Sequence, residues 1–232
     1  MITIIESADR YHVDHGWLNT RLHFSFADYH DPANMHWSVL RVFNDDIVQP
    51  MEGFPMHPHR DMEIVTYVIS GQLEHQDQLG NRGLVHPGEV QVMSAGKGIV
   101  HSEYNPSKDT PVHLLQLWLF PEHKNNPPRW EQRQFPVAER TGKLLPVVSS
   151  GATPNTLKID QDATVFVSRL KIGQTTTHQS KPKRHAYLFI IDGRVTLNGS
   201  PLAPGDQARI AAETKLDLAA TADAELILLD LP

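Results

Sequence analysis

Gly53-Phe54-Pro55-Met56-His57-Pro58-His59-Arg60-Asp61-Met62-Glu63 runs directly into Ile64-Val65-Thr66-Tyr67-Val68-Ile69, and Gly71 closes the stretch. Its second half is a short β-branched and aromatic run, which is a strand signal. Working outward, the same signal recurs in Val112-His113-Leu114-Leu115-Gln116-Leu117-Trp118-Leu119-Phe120 and in Tyr187-Leu188-Phe189-Ile190-Ile191, and 14 Gly and 17 Pro punctuate the chain. Long apolar stripes of helical period are scarce. The expectation is an all-β chain of short antiparallel strands, folded as a sandwich or barrel.

The 232 residues suffice for one large β domain or two ordinary ones. A weak internal repeat favours two. Tyr67 to Gly71 with Gln72-Leu73-Glu74, then Pro87-Gly88-Glu89, echoes Phe189 to Gly193 with Arg194-Val195-Thr196, then Pro204-Gly205-Asp206. Glycine at such turns supplies the positive φ that the reversal needs. Pro121-Glu122-His123-Lys124-Asn125-Asn126-Pro127-Pro128 has linker composition, which predicts domains over 1–121 and 122–232. The halves also differ chemically. Residues 1–122 hold 7 basic against 16 acidic residues, residues 123–232 hold 14 against 11, and only His178 and His185 of the 14 histidines follow His123.

Absent cysteine excludes disulfides, thiolate metal sites and a cysteine nucleophile, so any metal must be held by nitrogen and oxygen. No segment has the roughly 18 apolar residues of a membrane span. Met1-Ile2-Thr3-Ile4-Ile5-Glu6-Ser7 lacks the features of a secretion signal, so a cytoplasmic location is expected. A net charge of −6 opposes non-specific nucleic-acid binding, and the run Lys181, Lys183, Arg184 reads as a solvated loop.

Two segments carry ligand-type residues two apart: His57 and His59 in the first, His101 and Glu103 in Gly96-Lys97-Gly98-Ile99-Val100-His101-Ser102-Glu103-Tyr104-Asn105. On extended backbone, residues i and i+2 share a face, so four ligands can converge inside one barrel. Pro58 faces the other way and donates no ladder hydrogen bond, which implies an edge or bulged strand near the mouth. Three neutral imidazoles and a carboxylate suit a divalent cation with open positions for oxygen or substrate. Glu63 shares the parity of 57 and 59, so periodicity does not choose between Glu63 and Glu103. His12, His15, His23, His30 and His36 are too irregularly spaced for a second site and read as structural or exposed. Phe24, Phe26, Trp37, Met56 and Met62 are candidate cavity walls that core packing explains as well, and His75, Tyr104 and His113 are candidate polar lining.

These residues resemble a known family. His57, His59, Glu63 and Gly71 follow the first cupin motif, and Gly98, His101 and Asn105 follow the second, with Gly96 where many cupins have Pro. More narrowly, His15-Gly16-Trp17-Leu18, Phe24-Ser25-Phe26-Ala27-Asp28-Tyr29, His57-Pro58-His59-Arg60-Asp61-Met62-Glu63, His75-Gln76-Asp77 with Gly80-Asn81, and Gly98-Ile99-Val100-His101-Ser102-Glu103 resemble the pirin family, including its bacterial quercetin dioxygenases. The match covers nearly all of 10–121 and is thinner beyond.

The resemblance implies a bicupin of two jelly-roll barrels, the first holding one divalent metal through His57, His59, His101 and Glu103. Iron(II) is the expected metal, with nickel, manganese, copper, cobalt and zinc as alternatives. It assigns the carboxylate to Glu103 and leaves Glu63 a supporting role. Gly173-Gln174-Thr175-Thr176-Thr177-His178-Gln179-Ser180 has one histidine where the first half has two, so no metal is expected there. The implied activity is 2,3-dioxygenation of a flavonol such as quercetin, with carbon monoxide as one product and with Glu103 either as ligand and general base or as ligand with no proton role. The implied partners are O2 and a small aromatic substrate, with the chain acting as a monomer. The alternative is a metal-containing regulatory or redox-sensing protein without turnover; a third is a metal-free scaffold.

Overall fold

The short apolar runs become strands in the computed structural model, which describes residues 1–232. Two units result. One comprises Tyr11–Phe135 with Leu157–Gln161, the other Met1–Arg10, Pro136–Thr156 and Asp162–Pro232. Thus β1 (Ile2–Ile5) belongs to the second unit.

The first unit contains β2 (Tyr11–Asp14), β3 (Leu18–Leu22), β4 (Leu40–Val48), β5 (Gly53–His59), β6 (Glu63–Ser70), β7 (Leu73–Asp77), β8 (Arg82–Val85), β9 (Glu89–Ser94), β10 (Ile99–Tyr104), β11 (Val112–Leu119) and β12 (Arg129–Gln134). They form a large sheet, β12-β9-β6-β11-β4-β3-β2, and a small one, β5-β10-β7-β8. The second unit holds the short helix α1 (Val137–Arg140) and β13 (Leu145–Ser149), while β14 (Leu157–Lys158) returns to the first, where Lys158 N–H donates to Glu131 at 3.0 Å. Then follow β15 (Thr164–Leu170), β16 (Thr175–Gln179), β17 (His185–Asp192), β18 (Val195–Leu197), β19 (Ser200–Leu202), β20 (Gln207–Ala211), β21 (Lys215–Ala220) and β22 (Ala224–Leu231).

The second unit repeats the plan. Its large sheet runs β1-β20-β17-β22-β15-β13 and its small sheet β16-β21-β18-β19. Each strand therefore has a counterpart in the first unit, β17 for β6 and β22 for β11 at the centre. The repeated glycines explain themselves in the same terms. Gly71 and Gly193 have φ of +74° and +75°, and a Cβ on either would press within 2.5 Å or 1.9 Å of the carbonyl of Pro111 or Asp223. Only glycine turns there while the next strand passes so close.

The barrels differ in what crosses the large sheet. In the first, register aligns Gln91, Thr66, Gln116 and Asn44 across β9, β6, β11 and β4. All four are buried polar residues among apolar neighbours. The matching row in the second unit is Ala208, Leu188, Leu228 and Phe166 across β20, β17, β22 and β15. Those side chains belong to one apolar cluster that also contains Leu216, Leu218 and Ile210 and occupies the interior. One barrel has a polar interior row; the other has a dry core.

Candidate metal centre

Two histidines come from the edge. β5 is the outer strand of the small sheet, and Pro58 on it is exposed, so the missing N–H is no loss. The neighbouring strand β10 places His101 opposite His57 and Ile99 opposite His59, then bulges before pairing Glu103 with Phe54. The bulge falls between His101 and Glu103 on the site itself. On the far side of β10, His101 lies opposite Asp77 and Glu103 opposite His75.

The three imidazoles converge. Ring centroids are 4.8 Å apart for His57 and His59, 4.4 Å for His57 and His101, and 5.0 Å for His59 and His101. Their candidate ligand nitrogens all lie within 4.8 Å of one another. Two observations orient lone pairs inward. His57 Nδ1–H donates to the Pro55 carbonyl at 2.8 Å, which leaves Nε2 as the lone-pair nitrogen. His101 Nε2 is buried without a hydrogen-bond partner. A buried polar nitrogen left unpaired costs about 1–3 kcal/mol, and a cation at this point would remove that cost. Burial, then the neighbouring imidazoles, push the His59 pKa down to about 4 and the His101 pKa down to about 3. Both are therefore neutral at physiological pH, the form that binds metal.

Glu103 stands beside this trio, grouped with His101 and His75. Its carboxylate faces the polar row of the large sheet. Gln91 Nε2 donates to Oε1 at 2.5 Å and Gln116 Nε2 donates to Oε2 at 2.8 Å. Gln91 is in turn held by Trp130 Nε1–H on its Oε1 at 3.0 Å, and Gln116 by the Thr66 hydroxyl on its Oε1 at 2.9 Å. Each carboxylate oxygen keeps one lone pair beyond these bonds, available for a cation or a proton. Gln91, Gln116 and Thr66 escape a reading by motif, although a lone Gln or Thr inside an apolar run such as Leu115-Gln116-Leu117 is the signal that marks them.

Glu63 takes a different path. Asp61 has φ +47°, so the chain turns after His59 and crosses to the large sheet, and the parity shared by 57, 59 and 63 is lost. Its carboxyl is buried and accepts from Ser94 Oγ at 2.6 Å. Burial pushes its pKa up to about 7, against the opposing bond from Ser94.

A cavity of about 280 Å³ opens beside the imidazoles, walled by Phe26, Phe54, Pro55, Ile64 and Trp118. Of the predicted walls only Phe26 contributes. Phe24 is core, Met56 is exposed, and Met62 packs with Ile64, Met93 and Ile99. The missed walls come from strands far apart in sequence. Among the polar candidates, His113 is tied to Asp45 at 2.5 Å, Tyr104 is partly exposed, and His75 lies behind His101. The apolar walls are interrupted by Asn44 Oδ1, a buried acceptor with no partner, and by the buried Asp46 carboxyl. Burial raises the Asp46 pKa to about 7.

Elsewhere, Glu122, His123 and Asp160 form an exposed group with His123 Nδ1 bonded to Asp160 at 3.1 Å. In the second barrel, His178 Nε2 is committed to Asp230 at 2.6 Å, a carboxylate also held by Ser180 and Arg184.

Comparison with known proteins places this geometry in a lineage. The family model described as Pirin matches residues 5–119, and that of the quercetinase C-terminal cupin domain matches residues 146–231. The chain is 43% identical to a quercetin 2,3-dioxygenase of Escherichia coli K12 over 232 residues, covering 100% of this chain and 99% of that one. It is 46% identical to a pirin-like protein of Caulobacter vibrioides over 218 residues, 94% of each. The crystal structure of the E. coli bacterial pirin YhhW in complex with nickel(II) superposes with a TM-score of 0.95 at 43% identity, covering 100% of this chain and 99% of that one. Full-length identity at this level, with both cupin units matched in order, makes the chain a bicupin member of the pirin family.

Proposed function

We propose that the chain is a metal-dependent dioxygenase that cleaves a flavonol such as quercetin with O2, releasing carbon monoxide and a depside, through one divalent metal held by His57, His59, His101 and Glu103. The observation that carries the reading is the buried, unpartnered His101 Nε2 on a ring packed against the imidazoles of His57 and His59 beside an apolar cavity. Iron(II) is the metal proposed; the nickel(II) complex of a relative supports a divalent ion at large. When bound, such an ion polarises an enol oxygen, lowers its pKa and makes the substrate electron-rich toward O2.

The chain's own residues do the rest. Phe26, Phe54, Ile64 and Trp118 form a slot for a flat aromatic ring and exclude water from it. Asn44 Oδ1, without a partner, calls for a ligand with a hydroxyl donor at that depth. Glu103 takes the enol proton on a lone pair not used by Gln91 or Gln116, and those two amides hold its carboxylate in place meanwhile. The reading includes action as a single chain, in the cytoplasm and without a nucleic-acid partner, in keeping with the net charge of −6.

Aerobic incubation of metal-loaded protein with quercetin tests it. Metal-dependent loss of the flavonol absorbance with release of carbon monoxide is expected. Folded, loaded protein that leaves the absorbance unchanged with iron, nickel, manganese, cobalt and copper in turn would sink the reading and leave a regulatory metalloprotein in its place.

A further inference from the structure

Behind His101, away from the cavity, lies a buried chain of polar contacts that neither the ligand set nor the cavity explains. His101 Nδ1 faces His75 Nδ1 at 3.4 Å, and His75 Nε2 faces Asp77 Oδ2 at 3.3 Å. Both imidazoles are at most 1% exposed, and the His75 ring is fixed in plane by stacking on Trp130 at 4.9 Å and 9°. The acidic end is anchored too. Asp77 Oδ1 accepts from the Leu79 and Asn81 backbone N–H groups at 2.9 and 3.0 Å, and Oδ2 accepts from Asn81 Nδ2 at 2.8 Å.

Donor counting gives this chain a direction. A carboxylate only accepts, so His75 Nε2 carries a proton, and in the neutral imidazole, which has a single N–H, His75 Nδ1 is then a lone pair. A lone pair facing His101 Nδ1 requires that nitrogen to carry the proton, which leaves Nε2 of His101 bare. Nε2 is the atom left buried without a partner, on a ring whose centroid lies 4.4 Å from that of His57 and 5.0 Å from that of His59. We propose that Asp77, acting through His75, is a positioning residue that fixes the tautomer and ring orientation of His101 so that its Nε2 lone pair is presented to the metal. The inference rests on the metal reading above and deepens it: His75 serves the site as a relay, without being a ligand, although it lies within ligand distance of His101 and Glu103.

The arrangement predicts how a change at Asp77 reaches a cation it does not touch. In Asp77→Asn, Oδ1 keeps its two backbone partners, the Asn81 amide turns over to present its oxygen, and the new amide nitrogen donates to His75 Nε2. The relay then reverses, His101 Nδ1 becomes the acceptor, and the proton moves to Nε2, where the metal belongs. Outer partners of ligating histidines are worth about 10–100-fold in metal affinity. In His75→Gln, by contrast, the amide oxygen accepts from His101 Nδ1–H whatever occupies position 77.

Two measurements test the proposal. Nitrogen-15 NMR of the imidazoles in metal-free protein should show His101 protonated at Nδ1 and His75 at Nε2. Competition of nickel(II) between the protein and a chromophoric chelator should show Asp77→Asn weakening binding about 10–100-fold, but less than about twofold when His75→Gln is already present. A proton on His101 Nε2 in the metal-free protein overturns the relay. So does an equal loss in both backgrounds, which would assign the cost to the 77–81 turn. An unaltered chain that shows the expected tautomers yet takes up no nickel(II) instead overturns the metal reading, and with it the purpose given to the relay.

Discussion

Replacing Glu63 by Gln removes a carboxyl that the sequence offers as a metal ligand and the fold turns away to Ser94. The magnitude follows from its environment. Glu63 is 2% exposed, and burial raises its pKa from 4.5 to about 7. A folded-state value above the unfolded one means that the native protein holds the extra proton between those limits. Stability from this group is therefore lost as pH rises from about 4.5 to about 7, and the full penalty applies above that. At 1.36 kcal/mol per pKa unit the displacement amounts to about 3 kcal/mol as an upper bound. Gln keeps an oxygen for the Ser94 hydroxyl and has nothing to ionise. Urea unfolding of the wild type and Glu63→Gln at pH 5 and pH 8 measures the difference, and the assay is selective because Trp17, Trp37, Trp118 and Trp130 all belong to the first unit. Relative to wild type, the variant should be more stable at pH 8 than at pH 5 by up to about 3 kcal/mol. It should also keep its metal, whereas Glu103→Gln should lose it. A stability difference that is the same at both pH values refutes the burial argument, and loss of metal from Glu63→Gln with retention in Glu103→Gln refutes the assignment of the carboxylate.

Two further predictions concern the site. His57→Ala and His101→Ala should each abolish stoichiometric metal uptake and flavonol turnover while tryptophan emission reports a folded first unit; elemental analysis and an unfolding curve check both. Asn44→Leu removes an unpaired acceptor from the cavity wall, and should raise KM about 2–10-fold for a substrate with a hydroxylated ring while leaving one without that hydroxyl unchanged, which steady-state kinetics on the two substrates resolves.

The parts of this architecture that the sequence announces are those governed by local period. Alternation put His57 with His59, Pro58 announced an edge strand, and Gly71 with Gly193 announced the duplication. What stayed hidden depends on tertiary pairing. Glu63 shares the right parity, but one left-handed residue, Asp61, resets the direction of the chain. Gln91 and Thr66 lie 25 residues apart and Thr66 and Gln116 lie 50 apart, and they meet only because β9, β6 and β11 are neighbours in register. The cavity walls escape for the same reason: Phe54, Ile64 and Trp118 sit on three strands of two sheets, and no window of sequence contains them all.

The position of β5 at the rim of its sheet bears on how a cation arrives. His57 and His59 are half-buried on a strand with one free side, whereas His101 and its relay are sealed within. An ion held by the proposed ligands would therefore have a route to them from the rim after the barrel has folded. A centre filled from the rim equilibrates with its surroundings, so the ion recovered with the protein should track the supply of the medium in which it was made.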